Sequence, residues 1–403
     1  MTAVQSAHRI SDEAEALAVA AELAAQFAEE AAGRDAGRQL PYEQVGALAA
    51  SGLLALGVPR EHGGIDARTE TLAEVFRLLA DGDPSIAQIP HSHYTFLEVL
   101  RHQGTPAQQE FFYSEVLAGR RFANAQSERG ATTIDIDATT LTEQGGDFVV
   151  DGRKFYSTGA LFADWIAVRA TLPGTTTPTG TPAKAVAYLP RTTAGLSIVD
   201  DWDGMGQKTT ASGTVTLDAV RVPAFHVVPF SPIFDAPTTY GSQAQILHAA
   251  IDAGIAAAAL NEGVRSARQA RPYFEAGVTD AVDDPLLIQL AGEAAVSVRS
   301  ATALLREGAR SIDAARRDLT EQSAAVASID AAAAKVAAAR ASLEASSVLF
   351  ELGGTRSASE TSNLSRYWRD ARTHTLHDPT RWKIQHIGRW TLSGTVPPRH
   401  GLL

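Results

Sequence analysis

Two short segments of this chain carry side chains able to move protons near neutral pH. Thr373-His374-Thr375-Leu376-His377-Asp378-Pro379 holds two histidines and an aspartate. If this is a helix end, His374 and His377 lie one turn apart on the same face. His91-Ser92-His93 is a second pair. Imidazole is the side chain whose unperturbed pKa lies near neutrality, so paired rings suit general acid–base work at a reacting oxygen. The same residues allow two other readings. They are helix-terminus histidines held by the dipole or a carboxylate, or, with His91-x-His93 joined to His374-x-x-His377-Asp378, loosely spaced metal ligands. Zero cysteines exclude disulfides, thiolate zinc sites, iron–sulfur clusters and cysteine nucleophiles. No Gly-x-Gly-x-x-Gly strand–turn–helix unit is visible, so no nicotinamide-binding domain is expected.

The elements that position these residues fall into three blocks. From Ser11 to about Phe27, Leu17, Ala20, Leu23, Ala24 and Phe27 recur at helical spacing, with Ser11 as N-cap. Further helices are expected over Tyr42–Ser51, Thr69–Ala80 and His93–His102, making residues 1–118 a helical domain. Phe148–Val150, Trp165–Val168, Ala185–Leu189 and Thr214–Leu217 are strand-like runs. Gly145-Gly146-Asp147 reads as a hairpin turn, and Pro173 to Pro182 as an exposed loop. Residues 119–232 thus predict a small β-barrel or sandwich. Alanine-dense periodic segments over Ala249–Ala276, Leu286–Ala315 and Ser323–Leu352 predict a helical bundle over 233–403, each helix needing burial against its neighbours. The fold class is α+β.

With 403 residues, a formal charge of -11 and only five lysines among 35 basic residues, the chain lacks the basic face that nucleic acid requires. No apolar run reaches membrane-span length and no signal-peptide order opens the sequence, so a cytoplasmic protein is expected.

Motif order resembles the acyl-CoA dehydrogenase superfamily over almost the whole chain. Ser51 to Gly64 looks like its early helix and loop. Asp151-Gly152-Arg153-Lys154-Phe155-Tyr156-Ser157-Thr158 looks like its N-G-x-K-x-W-I-T strand. Arg271-Pro272-Tyr273-Phe274 falls at its R-x-x-F. Gly353-Gly354 and Arg366-Tyr367-Trp368-Arg369-Asp370-Ala371-Arg372 look like its G-G-x-G and R-Y-x-R-D-A-K ending. Each is weak alone; five in the right order are specific. The departure is at the base. Where the dehydrogenases carry a glutamate in E-G-T, this chain reads His377-Asp378-Pro379. That segment resembles the reduced-flavin monooxygenase branch, which includes dibenzothiophene and methanesulfinate monooxygenases and the sulfur-acquisition oxidoreductases. Asp81 to Pro90, Phe122 to Glu128 and Asp200 to Gly206 resemble its sulfur-acquisition members.

The resemblance implies an acyl-CoA dehydrogenase-like fold whose C-terminal domain is a four-helix bundle, and a two-component, FMNH2-dependent monooxygenase. One oxygen of a flavin C4a-hydroperoxide would pass to a small organosulfur compound in sulfur assimilation. FMN fits the branch and FAD the wider superfamily; a separate NAD(P)H-dependent reductase would deliver the reduced flavin. His377 would act as the acid–base group, with His374 second. His93, with His91 in reserve, would face it across the flavin. Asn124 would hold a substrate or flavin-bound oxygen, and Thr158 would bond flavin N5 or the flavin-bound oxygen. Ser127 would lie against the ring, and Trp202 would stack on flavin or substrate. Arg271 would bind the flavin phosphate with Gly353 and Gly354, across a subunit interface; at least a dimer, and by family habit a homotetramer, would follow. Four alternatives stay open: an FAD-dependent acyl-CoA dehydrogenase without the usual glutamate, an N-oxygenating relative, a histidine metalloenzyme, and a non-catalytic flavin-fold module.

Overall fold

The computed structural model describes residues 7–130, 133 and 136–403. Its first helices are α1 (Glu13–Gly37), α2 (Tyr42–Ala50), α3 (Thr69–Gly82), α4 (Pro84–Gln88), α5 (His91–Gln103) and α6 (Pro106–Leu117). The cap of α1 is Asp12, not Ser11: its carboxylate accepts the Glu15 N–H at 2.8 Å. The Ser11 hydroxyl donates instead to the Glu15 carboxylate at 2.6 Å. This helix outruns the predicted end at Phe27, because good helix formers continue after the apolar stripe stops. Asp83 caps α4 by accepting from Ser85 and Ile86 N–H, and the buried Arg34 holds the same carboxylate at 2.9 Å. Asp83-Pro84 thereby fixes the entry to α5, which starts at His91, two residues before the expected position.

The middle of the chain forms one eight-stranded sheet from β1 (Phe122–Ala125), β2 (Thr140–Gln144), β3 (Asp147–Ser157), β4 (Trp165–Thr176), β5 (Pro182–Pro190), β6 (Leu196–Val199), β7 (Gly213–Val222) and β8 (Val227–Pro229). Its order is β6-β7-β3-β2-β4-β5-β8, with β1 parallel to β4. Gly145 and Gly146, at φ 65 and 88°, supply the two left-handed residues that the β2–β3 hairpin needs. The expected loop from Pro173 to Pro182 is mostly strand. β4 continues through a register shift between Thr171 and Thr176, with Gly174 at φ 76°, and only 177–181 remain outside the pair. Threonine-rich composition disguised this: β-branched residues at a sheet margin extend as readily as they loop.

Five helices complete the fold: α7 (Tyr240–Ala267), α8 (Pro285–Arg317), α9 (Glu321–Gly353), α10 (Ser365–His374) and α11 (Thr380–Ser393). The helix expected to reach Ala276 ends at Ala267. Pro272 lacks an N–H and disfavours helical backbone at Arg271, so Arg271 to Tyr273 lie in the following loop and Phe274 opens a short 3-10 turn. α7 is buried along nearly its whole length against α3, α8 and α9. Ala327, Ala331, Ala334, Ala338, Ala341 and Ala345 of α9 form a buried column in this core, and such small side chains let helices approach closely. Gly254 marks a close approach of α7 to α3: a Cβ there would lie 2.4 Å from the Arg77 carbonyl. Among these apolar surfaces, His248 and Asp252 of α7 and Lys335 of α9 are at most 1% exposed. Polar groups so buried must satisfy one another.

Candidate active site

They do so in one line that draws in His374 of the 373–379 segment. Lys335 Nζ donates to Asp252 Oδ2 at 2.7 Å. Asp252 Oδ1 lies 2.6 Å from His374 Nδ1, and His374 Nε2 lies 3.1 Å from His248 Nδ1. The spacing is helical: His248 and Asp252 are i and i+4 on α7, hence on one face, and His374 is the last residue of α10. Beyond it the chain makes one more turn, His377 N–H donating to His374 carbonyl at 3.0 Å. That turn lays His377 over His248, ring centroids 3.9 Å apart, while His91 stacks on His248 at 3.7 Å. His248 therefore lies against both rings, whose own centroids are 6.4 Å apart. His377 is the member open to solvent, with 40% of its side chain exposed, and its Nδ1 is 3.8 Å from the Asp378 carboxylate.

Burial sets the charge state of the cluster. It pushes His91 down to about 3 and holds His248 well below the ordinary imidazole range, where the neighbouring histidines and Lys335 add repulsion. His374 is lowered too, burial outweighing the attraction of Asp252. Asp252 stays below the usual carboxylate range, because Lys335 and His374 overcome its own desolvation.

His93 sits elsewhere. Its Nδ1 accepts the Phe122 N–H at 3.1 Å and its Nε2 donates to the Leu54 carbonyl at 2.9 Å, so both nitrogens serve the backbone. Residues i and i+2 of a helix do not share a face. α5 consequently turns His93 toward β1 and His91 toward α7, where His91 Nε2 donates to the Ala244 carbonyl at 2.9 Å. The ring that meets His377 is the reserve candidate, His91. The proposed ligand set His91, His93, His374 and His377 does not converge, and among the described residues no group of three or more acidic or histidine side chains is arranged to hold a metal ion.

The sheet supplies the other wall. A bridge in which Ser127 carbonyl accepts the Phe155 N–H at 2.8 Å joins the end of β1 to β3. Asn124, on β1, and Thr158, in the turn just after β3, are each three residues from that bridge, on segments running antiparallel. Asn124 Oδ1 is buried with no hydrogen-bond partner among the described residues, an orphan acceptor of the kind that a ligand satisfies. Thr158 Oγ1 lies 2.8 Å from Ser212 Oγ, which lies 2.8 Å from Thr210 Oγ1; Thr210 donates to the Gln207 carbonyl at 2.9 Å. Each hydroxyl has one proton. Passing them in the direction that Thr210 sets makes Thr158 donate to Ser212 and keeps its lone pairs for an incoming donor. Tyr156, at φ 57° and 46% exposed, meets Trp202 edge-to-face at 6.2 Å. Trp202 Nε1 donates to the Gln207 carbonyl at 2.8 Å. The same loop is pinned to α10: Asp370 accepts the Gln207 N–H at 2.6 Å, and Arg369 donates to the Met205 carbonyl at 2.9 Å. The R-D-A sequence thus fixes the helix that carries His374.

Arg271, Gly353 and Gly354 gather at a distant end. Arg356, just after the glycines, donates to the Gln269 carbonyl, tying the end of α9 to the exposed loop that holds Arg271. Gly354 has φ 65° and ψ -161° and open space around it, a backbone region that essentially only glycine adopts. At 1.5 Å per residue, the stretch of α7 from His248 to Ala267 separates this end from the histidines by about 28 Å.

Sequence reasoning missed His248, Asp252 and Lys335. The signal was present: one His, Asp and Lys inside alanine-dense helices cannot be buried unpaired. Which of them pair is a matter of inter-helix register that no local spacing reveals.

Models of the acyl-CoA dehydrogenase N-terminal, middle and C-terminal domains match residues 11–120, 122–220 and 246–382. A dibenzothiophene monooxygenase of Rhodococcus qingshengii is 31% identical over 362 residues, covering 87% of this chain and 86% of that protein. A Pseudomonas putida protein named "probable FMNH2-dependent monooxygenase SfnC" is 31% identical over 391 residues, covering 95% and 96%. The crystal structure of FMN-bound TdsC from Paenibacillus sp. A11-2 aligns with a TM-score of 0.89 at 30% identity, covering 96% of this chain and 100% of that one. With all three domain models matching in order and relatives of this kind matching over most of its length, the chain belongs to the flavin-dependent monooxygenase branch of the acyl-CoA dehydrogenase superfamily.

Proposed function

We propose that this protein is the oxygenase component of a two-component system, using FMNH2 and dioxygen to oxygenate the sulfur of a small organosulfur compound. The observation that carries the reading is the half-exposed His377 lying tilted against the buried His248 imidazole, 3.9 Å between centroids, at the position where the resemblance puts a dehydrogenase's carboxylate. Two features of the chain fit a flavin: the orphaned Asn124 acceptor and the Gly354 turn, whose backbone is open to a phosphate. Bound reduced flavin supplies two electrons and activates dioxygen. The chain's own residues do the remainder. His377 donates a proton to the oxygen that leaves as water, with His91 facing it beyond His248. Asn124 Oδ1 would accept from the flavin while its Nδ2 holds the substrate oxygen, and Thr158 would accept a hydrogen bond from the N5–H of reduced flavin. Ser127 and Trp202 flank the ring.

Arg271, Gly353 and Gly354 bind the flavin phosphate of a neighbouring subunit. Their separation from the histidines supports this, as does the exposure of Tyr273 and Phe274 (59 and 80%) beside Arg271. The site then needs at least a dimer, and we favour a tetramer. Without a nicotinamide-binding motif in the chain, electrons come from a separate NAD(P)H-dependent flavin reductase.

The test mixes apoprotein with photoreduced FMN, oxygen and sulfinate, sulfone or thiophene candidates, and follows oxygenated product by mass spectrometry with labelled dioxygen. One labelled oxygen atom per product supports the reading; acyl-CoA oxidation without a reductase, or no labelled product from any candidate, overturns it. His377→Ala is expected to lose about 100-fold or more in kcat while retaining FMN affinity.

A further inference from the structure

The line Lys335–Asp252–His374–His248 is costly. An ion pair and two imidazoles, each at most 1% exposed, stand where apolar side chains would avoid the desolvation penalty. The line ends on the ring that stacks on His91 and lies tilted against His377. We propose that Asp252, anchored by Lys335, acts through His374 to fix the tautomer of His248 and to store one proton for the His91–His377 site. The use of that proton rests on the oxygen-transfer reading above; the tautomers rest on the geometry alone.

The ammonium of Lys335 can only donate, so it takes Asp252 Oδ2. Asp252 Oδ1 can only accept, so at 2.6 Å His374 Nδ1 carries hydrogen. In neutral His374, Nε2 is then a lone pair, and His248 Nδ1, 3.1 Å away, must carry the hydrogen between them. His248 Nε2 is left as a base. When a proton bonds to Nε2, the Nδ1–H bond of His248 breaks and that proton bonds to His374 Nε2. His374 becomes an imidazolium against Asp252, and no electrons change hands; the reverse steps return the proton. The charged and titratable groups facing this line are Lys335, Asp252, His91, His377, Asp378 and Lys383. A charged His248 would repel an imidazolium on either ring within 4 Å of it, so His248 passes its proton on to His374.

Asp252→Asn tests the proposal. Lys335 keeps the amide oxygen, the amide NH2 turns to His374 Nδ1, and both rings are forced into their Nε2–H tautomers. Nitrogen-15 NMR of histidine-labelled apoprotein reads this directly. Wild type is expected to show Nδ1–H at His374 and His248, and the variant Nε2–H at both. With photoreduced FMN the variant is expected to lose about 100-fold in kcat at unchanged KM and flavin affinity. Should Asp252→Asn not fold, Lys335→Met removes the cation that repels a protonated His374, and the same spectra should show His374 titrating at higher pH than in wild type. Nε2–H tautomers in wild type, unchanged tautomers in Asp252→Asn, flipped tautomers with wild-type kcat, or an unshifted His374 in Lys335→Met would each overturn the proposal. If wild type oxygenates nothing, the oxygen-transfer reading fails while the NMR result still decides the line.

Discussion

Two histidines separated by one residue on a helix point about 200° apart, and His91 and His93 divide accordingly. His93 closes two buried backbone hydrogen bonds. His93→Ala should cost about 3 kcal/mol in urea unfolding, from the Phe122 N–H and Leu54 carbonyl it orphans. His91→Ala should leave the unfolding midpoint nearly unchanged and lower kcat. Protonation separates the two states further. Burial lowers His91 to about 3 and His93 to about 4 and depresses His248 and His374, against an ordinary value of 6.5. Below pH 6.5 the unfolded chain binds protons that the folded chain refuses, so stability present at pH 7 is lost as pH falls toward 4. Asp370, raised to about 7 by burial and then by Asp35, works the other way, since the folded state takes its proton first. Histidines outnumber it, and each uncompensated one contributes about 1.4 kcal/mol per pH unit. A denaturation series from pH 7 to 4 should therefore show a steadily falling midpoint; a flat or rising one contradicts neutral buried rings.

At the scale of elements, apolar periodicity located the helices and strands and missed their ends. The end of α7 follows from Pro272, a local rule; the extension of α1 and of β4 follows from residues that carry no periodic signal. The turn after α9 is the most constrained. A Cβ on Gly353 would meet Ser357 Oγ at 2.0 Å and Ser266 at 2.8 Å, while Gly354 holds a glycine-only backbone with nothing near it. Gly354→Ala should then cost about 1–3 kcal/mol in local strain and weaken FMN binding by calorimetry without moving the pH profile of turnover. Retention of full FMN affinity would remove this turn from the phosphate site.

The whole molecule places the histidines at one end of α7 and Arg271 past the other. If each flavin is held by two chains, Arg271→Ala and His377→Ala damage different halves of a site. Each variant alone should be nearly inactive. After subunit exchange, random mixing in a two-fold pair should restore roughly a quarter of wild-type turnover, because half the pairs are mixed and each has one intact site. No recovery, with exchange verified by native mass spectrometry, would show that each subunit builds its site alone.

Much was legible in the residues themselves. Motif order carried the superfamily, and the histidine in place of a glutamate carried the branch, because a side chain's chemistry is local to it. Helix and strand identity followed from period, and the hairpin from Gly145-Gly146. What only the tertiary structure decided is which imidazoles meet. His374 was expected to be second to His377; it is instead the buried link to Asp252 and Lys335, 122 residues from the first by chain separation, while His91 rather than His93 faces the site. The physical reason is that pairing across packed helices depends on their register and rotation. Those are set by the alanine columns and glycine contacts of the entire core, not by the neighbours of any one histidine.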